Sequence, residues 1–277
     1  MKSTAKTIDI NERDSGIKIL LKIANLSIKC FQSFMESLLE LIELMSESPD
    51  DKNRIAFIIR QICEIRGEEV YSSIAELLLS KKSKSTIRLM NILLATAPQL
   101  HSVRVSLREE QTSENEHNND KKTRLFEKLW DAWIFCPVSS ICLALISGRY
   151  NLAYKTLKFI STQNILEEDL VEFDRLIQLI ESPGFTPLRF ELLERPPVLT
   201  GTYLHIDSSP NNVWQTCSDF SSATLYGVLM ILPQSKSFEV LLRRLSVIPT
   251  LSIQSIQLSE EEIGLFHKLK ITAQKMQ

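Results

Sequence analysis

LIQLIESPGFTPLRFELLE, residues 176–194, holds a helix end, a hard stop and a new helix start. Upstream of it, Asn164 is placed to cap a helix, with Glu167 three residues on as in a capping box. Glu167, Glu168 and Asp169 crowd the first turn, where the helix dipole favours negative charge. Leu166, Leu170, Phe173, Ile177 and Ile180 then recur every three or four residues and form one apolar stripe. Ser182, Pro183 and Gly184 stop the helix, because proline has no N–H to donate and disfavours helix in the residue before it. Thr186 and Pro187 restart it as cap and first helical residue. The stretch predicts a helical hairpin and carries no chemistry.

The pattern extends in both directions. Phe31, Met35, Leu38, Ile42 and Met45 stripe a long helix spanning roughly 17–45, closed by Ser48, Pro49 and Asp50. A helix over 52–65 carries Ile55, Ile58, Ile59 and Ile62, and Gly67 is its expected left-handed terminal residue. Helices follow over 68–79 and from Ser85 or Thr86 to Ala97, where Pro98 breaks the chain before a short helix over 100–107. Phe126, Leu129, Trp130 and Trp133 share one face, and Pro137 starts the next helix. The two-residue link Gly148-Arg149 implies antiparallel neighbours. Further helices are expected over 224–232, ended by Pro233, and over 235–247. Ser259 with Glu262 marks a last capping box, before an amphipathic helix over 259–275.

This reading divides the chain into a disordered N-terminus, 1–14, and a helical-repeat segment, 15–108. A flexible loop, 109–122, separates these from a C-terminal assembly region, 123–248, and the terminal helix follows. Residues 109–122 carry no apolar side chain to offset their ordering entropy. Residues 195–221, punctuated by Pro196, Pro197, Gly201 and Pro210, form a second irregular insertion. Seven glycines and scarce alternation make the chain all-α. Paired helices with short turns suit the end of a HEAT- or armadillo-like α-solenoid of antiparallel hairpins, where a helical pair takes ~40–47 residues. No clean internal repeat is visible, and a plain helical bundle is the competing architecture.

The net charge is −2, and residues 1–135 balance at 20 basic and 20 acidic, so neither half has the basic excess of a nucleic-acid binder. Five cysteines without paired spacing suit buried thiols in a reducing compartment. The longest uncharged run, 132–148, is too short and too polar for a membrane span, so any membrane association is indirect. His101, His117, His205 and His267 lack metal-ligand spacing, and Cys136 and Cys142 read as core thiols. No P-loop, dinucleotide fingerprint or nucleophile elbow is present, so no cofactor, metal or catalytic residue is assigned and an enzyme is the remote alternative.

Several ordered blocks resemble the C-terminal region of the ArPIKfyve family, the vacuole-associated HEAT-repeat scaffolds of the phosphatidylinositol 3-phosphate 5-kinase complex. They are FIIRQIC at 57–63, SSIAELLL at 72–79, NILLATAPQL at 91–100, the Trp-containing block 129–159, the opening stretch, and LYGVLMILPQSKSF at 225–238. Two departures stand out. Where the family pattern has Trp-Cys-His-Asn-Pro-Val, this chain has Trp133, Ile134, Phe135, Cys136 and Pro137, and residues 195–221 replace a short connection. The family also carries a long N-terminal HEAT array, so this sequence corresponds to a C-terminal piece or a shortened relative.

The resemblance implies a non-catalytic scaffold on the cytosolic face of vacuolar or endosomal membranes. It implies self-association into a homo-oligomer. It also implies two enzyme partners of opposite direction, a FYVE-finger phosphatidylinositol 3-phosphate 5-kinase and a Sac-type phosphoinositide phosphatase. Together they set phosphatidylinositol 3,5-bisphosphate synthesis. Phe185, Leu188, Arg189, Tyr226, Leu229, Leu232 and Phe238 belong to the matching blocks and are the expected interface residues. A helical adaptor with unrelated protein partners is the alternative.

Overall fold

The computed structural model describes residues 28–44, 49–112, 124–163, 165–193, 213–246 and 258–276. Among them every regular element is helical, as the sequence predicts. In chain order they are α1 (Ile28–Leu44), α2 (Pro49–Lys81), α3 (Lys84–Thr96), a 3₁₀ turn (Pro98–Leu100) and α4 (His101–Thr112). Then come α5 (Leu125–Trp133), α6 (Pro137–Ile146), α7 (Tyr150–Ile160), α8 (Glu167–Ile180), a second 3₁₀ turn (Pro183–Phe185) and α9 (Thr186–Leu193). The last three are α10 (Val213–Ile231), α11 (Lys236–Leu245) and α12 (Glu260–Met276).

The apolar stripes meet in one continuous core. Phe126, Leu129, Trp130 and Trp133 of α5 are fully buried, α5 packs on α2, and Val70, Ile74 and Leu78 of α2 are fully buried in the same core. α6 is buried on nearly every side, against α7, α8, α3 and α5. Several interior polar groups are paired, because a buried donor left open is costly. Trp133 Nε1 donates to Asn91 Oδ1 at 3.2 Å, Asn91 Nδ2 donates to Ser139 O at 3.3 Å, and Tyr71 Oη donates to Met90 O at 2.9 Å. These bonds tie α3 to α5, α6 and α2.

Several boundaries differ from the sequence reading, each for a local reason. The two helices expected on either side of Gly67 are one helix, α2, bent where Arg66 leaves helical geometry at φ −134° and ψ 46°. Gly67 is not left-handed; among the described residues Gly148 (φ 81°) is the positive-φ glycine and Lys82 (φ 52°) the positive-φ non-glycine. A Cβ at Gly67 would stand 2.6 Å from Val103 Cγ2, so glycine is there to let α4 approach. Residues 109–112, expected to open a loop, are helical. α4 runs to Thr112, and Glu110 accepts the first N–H groups of α5, Leu125 and Phe126, at 2.9 Å each. The insertion expected over 195–221 gives its last residues to α10, which starts at Val213 rather than Thr224. Asn164 lies outside the described residues, as do 1–14, 113–122 and 195–212. Asp169 closes the start of α8 instead, accepting the Leu166 N–H at 3.1 Å. Thr186 is a helical residue (φ −53°, ψ −46°) that runs on from the 3₁₀ turn rather than capping α9.

Two proline turns are built alike. At Pro98 the chain passes from α3 through a 3₁₀ turn into α4, and Arg104 donates to the carbonyls of Leu94 (2.9 Å) and Ala97 (2.8 Å). At Pro183 it passes from α8 into α9, and Arg189 donates to the carbonyls of Ile180 (2.5 Å) and Ser182 (2.9 Å) and to Thr186 Oγ1 (2.9 Å). In each, a guanidinium satisfies carbonyls that the broken helix leaves open, at the end where the dipole favours a cation. Leu100, Val103 and Leu107 are buried at the same offsets from the first proline as Phe185, Leu188 and Leu192 from the second.

Candidate protein-interaction surface

The seven expected interface residues sit on adjoining elements. Phe185 ends the second 3₁₀ turn, Leu188 and Arg189 are on α9, Tyr226, Leu229 and Leu232 are on or just past α10, and Phe238 is on α11. α9 packs on α10, α10 on α11, and α11 back on α8. Phe185 and Leu188 are fully buried, and Leu229 and Leu232 nearly so. Tyr226 and Phe238 are half-buried, and Tyr226 Oη donates to Leu245 O at 3.0 Å, closing the end of α11. Ser235 caps α11 by accepting the Phe238 N–H at 3.3 Å, and its own hydroxyl reaches Asp174 of α8 at 3.2 Å. The seven form the joint that holds α8–α11 together, so each side chain already has neighbours in this chain.

The same elements carry apolar side chains that the joint does not cover. Met230 of α10 is 86% exposed and Phe190 of α9 57%. Val171 of α8 and Val240 and Leu242 of α11 are also exposed. The sequence signal for them is an apolar residue off the stripe. In the run Leu229-Met230-Ile231 a helix with one buried face cannot bury all three. Seen as pattern alone, such positions merge with the core.

Other exposed apolar side chains, Ile65, Leu79 and Leu166 among them, are spread over other parts of the surface. A groove of about 620 Å³ lies between α1, α2 and α5, lined by Glu68, Glu69, Ser72, Glu76 and Lys128 among others. Lys128 donates to Ser72 Oγ (2.8 Å) and Glu76 (2.7 Å), Arg66 pairs with Glu69 (3.1 Å), and Ser106 donates to Glu68 (2.5 Å). Glu68, Glu69, Glu76 and Lys128 thus each have a partner in this chain.

No group of His, Cys, Asp and Glu among the described residues could hold a metal ion. Cys63, Cys136 and Cys142 are buried free thiols. Burial pushes Cys63 up to about 12 and Cys136 up to about 11, and Cys142 rises with them, so none is a thiolate near neutral pH. No helix among the described residues is long and apolar enough to cross a membrane.

Comparison with known proteins places this geometry. Residues 50–204, from α2 to beyond α9, match the family described as vacuolar protein 14 C-terminal Fig4p binding. The chain is 33% identical over 229 residues to the vacuole morphology and inheritance protein 14 of Saccharomyces cerevisiae, covering 81% of this chain and 22% of that protein. It is 30% identical to the VAC14 homologue of Schizosaccharomyces pombe, over 82% of this chain and 25% of the relative. It is also 30% identical to the VAC14 homologue of Arabidopsis thaliana, over 74% and 25%. The chain spans about a quarter of the length of these curated relatives. No solved structure matches it. With more than half its residues under the family model, the chain belongs to the vacuolar protein 14 family and corresponds to its C-terminal region.

Proposed function

We propose that this chain is a non-catalytic scaffold that self-associates and holds a phosphatidylinositol 3-phosphate 5-kinase beside a Sac-type phosphoinositide phosphatase, so regulating phosphatidylinositol 3,5-bisphosphate synthesis. The observation that carries this reading is the match of residues 50–204 to a family described as Fig4p binding. The kinase, the oligomer and a peripheral place on the cytosolic face of vacuolar or endosomal membranes rest on the sequence resemblance. Burial holds the Cys63 and Cys136 thiols protonated, so neither offers a thiolate nucleophile near neutral pH.

The repeated proline-arginine turn supports the finer architectural reading, a HEAT-like solenoid end. The two turns are separated by about twice the ~40–47 residues of one helical pair. In the assembly region, Phe185, Leu188, Arg189, Tyr226, Leu229, Leu232 and Phe238 set the frame. Exposed Phe190 and Met230 beside them offer apolar surface to the phosphatase.

The test is mass by light scattering on the purified chain, alone and with the phosphatase, together with capture of the kinase. Complexes with both enzymes and a mass above one chain are expected. Phe190→Asp with Met230→Asp, both at exposed positions, should weaken phosphatase binding without lowering the melting temperature. A chain that stays monomeric at micromolar concentration and captures neither enzyme is an adaptor for other partners.

A further inference from the structure

The junction of α2 and α3 is a bare corner of the fold. Of residues 79–85, all but Ser83 are exposed. α2 ends at Lys81, and Lys82 turns the chain with a φ of 52°. Ser83 is extended (φ −71°, ψ 103°), and α3 begins at Lys84. Three lysines therefore stand on one short tip. The Lys82 ammonium lies 5.0 Å from the centre of the Phe135 ring, in the turn between α5 and α6, which holds one of these charges in place.

Four hydroxyls share the tip, and they are not equivalent. Ser80 Oγ donates to Leu77 O at 2.7 Å. Ser83 Oγ caps α3 by accepting the Thr86 N–H at 3.5 Å. Thr86 is fully buried, with its Oγ1 3.0 Å from the same Ser83 oxygen. Ser85 is exposed, and its hydroxyl meets the Ser83 hydroxyl at 3.1 Å. Lys84, Lys82 and Lys81 stand one, three and four residues before Ser85. As the second residue of α3, Ser85 lies in the turn whose N–H groups lack helical partners, and a helix end opens at little cost. Protein kinases select their substrates by charge pattern, and a serine that follows a run of cations suits a kinase whose cleft is acidic.

We propose that Ser85 is a phosphoacceptor for a protein kinase that reads basic residues before the serine. The Ser85 Oγ attacks the γ-phosphorus of a magnesium-bound nucleoside triphosphate held by that kinase. The new bond is Oγ–P, and the bond that breaks joins the γ-phosphorus to the departing nucleoside diphosphate. The hydroxyl proton passes to the catalytic aspartate of the kinase. The phosphate carries a charge of about −1.5 to −2 near neutral pH, so it cancels more than half of the lysine charge at the tip. It also places negative charge in the first turn of α3, which has no acidic residue of its own and where the helix dipole favours one. The modified tip is thus firmer than the unmodified one and close to neutral. This inference stands apart from the scaffold reading.

The experiment treats the full chain with magnesium, ATP and the catalytic fragment of protein kinase C, a kinase selective for basic substrates. Intact mass gives the number of phosphates, and fragmentation of the peptides gives their positions. One phosphate on Ser85 is expected, and Ser85→Ala should lose it. Lys82→Gln should lower the initial rate about fivefold, the worth of one exposed ion pair. The phosphorylated chain should melt about 2–4 °C higher at low salt, with the gain shrinking as salt is added. A folded chain that leaves Ser85 bare overturns the proposal, even where a synthetic peptide of residues 78–88 is phosphorylated. So does phosphate that settles on Ser80 or Ser83 instead, or a rate indifferent to Lys82→Gln. A phosphate on Ser85 that leaves the melting temperature unchanged or lower overturns the firmer tip.

Discussion

The turns at Pro98 and Pro183 use the same proline, the same three buried apolar positions and the same arginine, yet they differ at the residue after proline. The first has Gln99 and the second Gly184. The reason is packing between the two. Gly184 nests against α3 just before the first turn, where an added Cβ would stand 2.8 Å from both Ala95 Cα and Ala95 O. Gln99 meets no such constraint. The arginine belongs to the turn itself, because any helix broken this way exposes carbonyls. The glycine belongs to the place where one turn is inserted beside the other.

The most severe way to break this comparison is Gly184→Val. The obstacle is backbone, which cannot swing aside as a side chain can, so overpacking should cost about 3 kcal/mol in chemical denaturation. The companion change Ala95→Gly should not rescue it, since the clash is with Cα and O rather than with the methyl group. Rescue would show that the turns are not in backbone contact.

Next in size are the arginines. Arg104 is 9% exposed, and Arg104→Met strands two carbonyls in a buried setting, for an expected loss of about 2–3 kcal/mol. Arg189→Met removes a similar set of bonds from a half-buried site where water can replace some of them, so about 1–2 kcal/mol is expected. Urea unfolding of both variants sharpens the comparison. Equal losses would mean that burial does not distinguish the turns, and a larger loss at Arg189 would reverse their ranking.

How much of this was legible depends on the range of the interaction. Periodicity gave the stripe of α5 and, from Phe173 to Ile180, that of α8, although Leu166, expected to begin it, stands 62% exposed before the helix. The capping box at α12 is present as read, with Ser259 and Glu262 exchanging two bonds at 3.2 Å. Gly67 was misread because a lone glycine after an apolar run serves equally as a helix end or as a close-approach site. Only the position of Val103 decides between them. The first residues of α10, VWQTCSDF, space Val213, Trp214, Cys217 and Phe220 as one helical face, but their β-branched, aromatic, serine and aspartate side chains favour no helix by propensity and they follow Pro210, so the stretch reads as part of the irregular insertion. The arginine staples were invisible as such, because they join a side chain to backbone seven to ten residues earlier and leave no mark on hydrophobic pattern. The repeat they define has only five recurring positions, which is why no internal repeat stood out. For the seven expected interface residues, pattern announced burial and could not say against what. Phe185 and Leu188 turn out to be covered by this chain itself. The return of α12 to α5 was beyond any local reading, since its bonds cross 135 and 137 residues.

The smallest expected effect is the one that isolates the glycine. If Gly184 were demanded by the turn, glycine should also suit position 99, and Gln99→Gly would be neutral or stabilising. If it is demanded by insertion against Ala95, then Gln99→Gly only adds conformational freedom to the unfolded chain and should cost about 0.5–1 kcal/mol. Gln99→Ala separates the two further. The Gln99 Oε1 atom is buried without a hydrogen-bond partner, so trimming it removes an unsatisfied acceptor while keeping a Cβ. Alanine should therefore equal or slightly exceed glutamine in melting temperature, with glycine below both. A glycine variant that melts above the alanine variant would locate the requirement in the turn and undo the distinction between the two hinges.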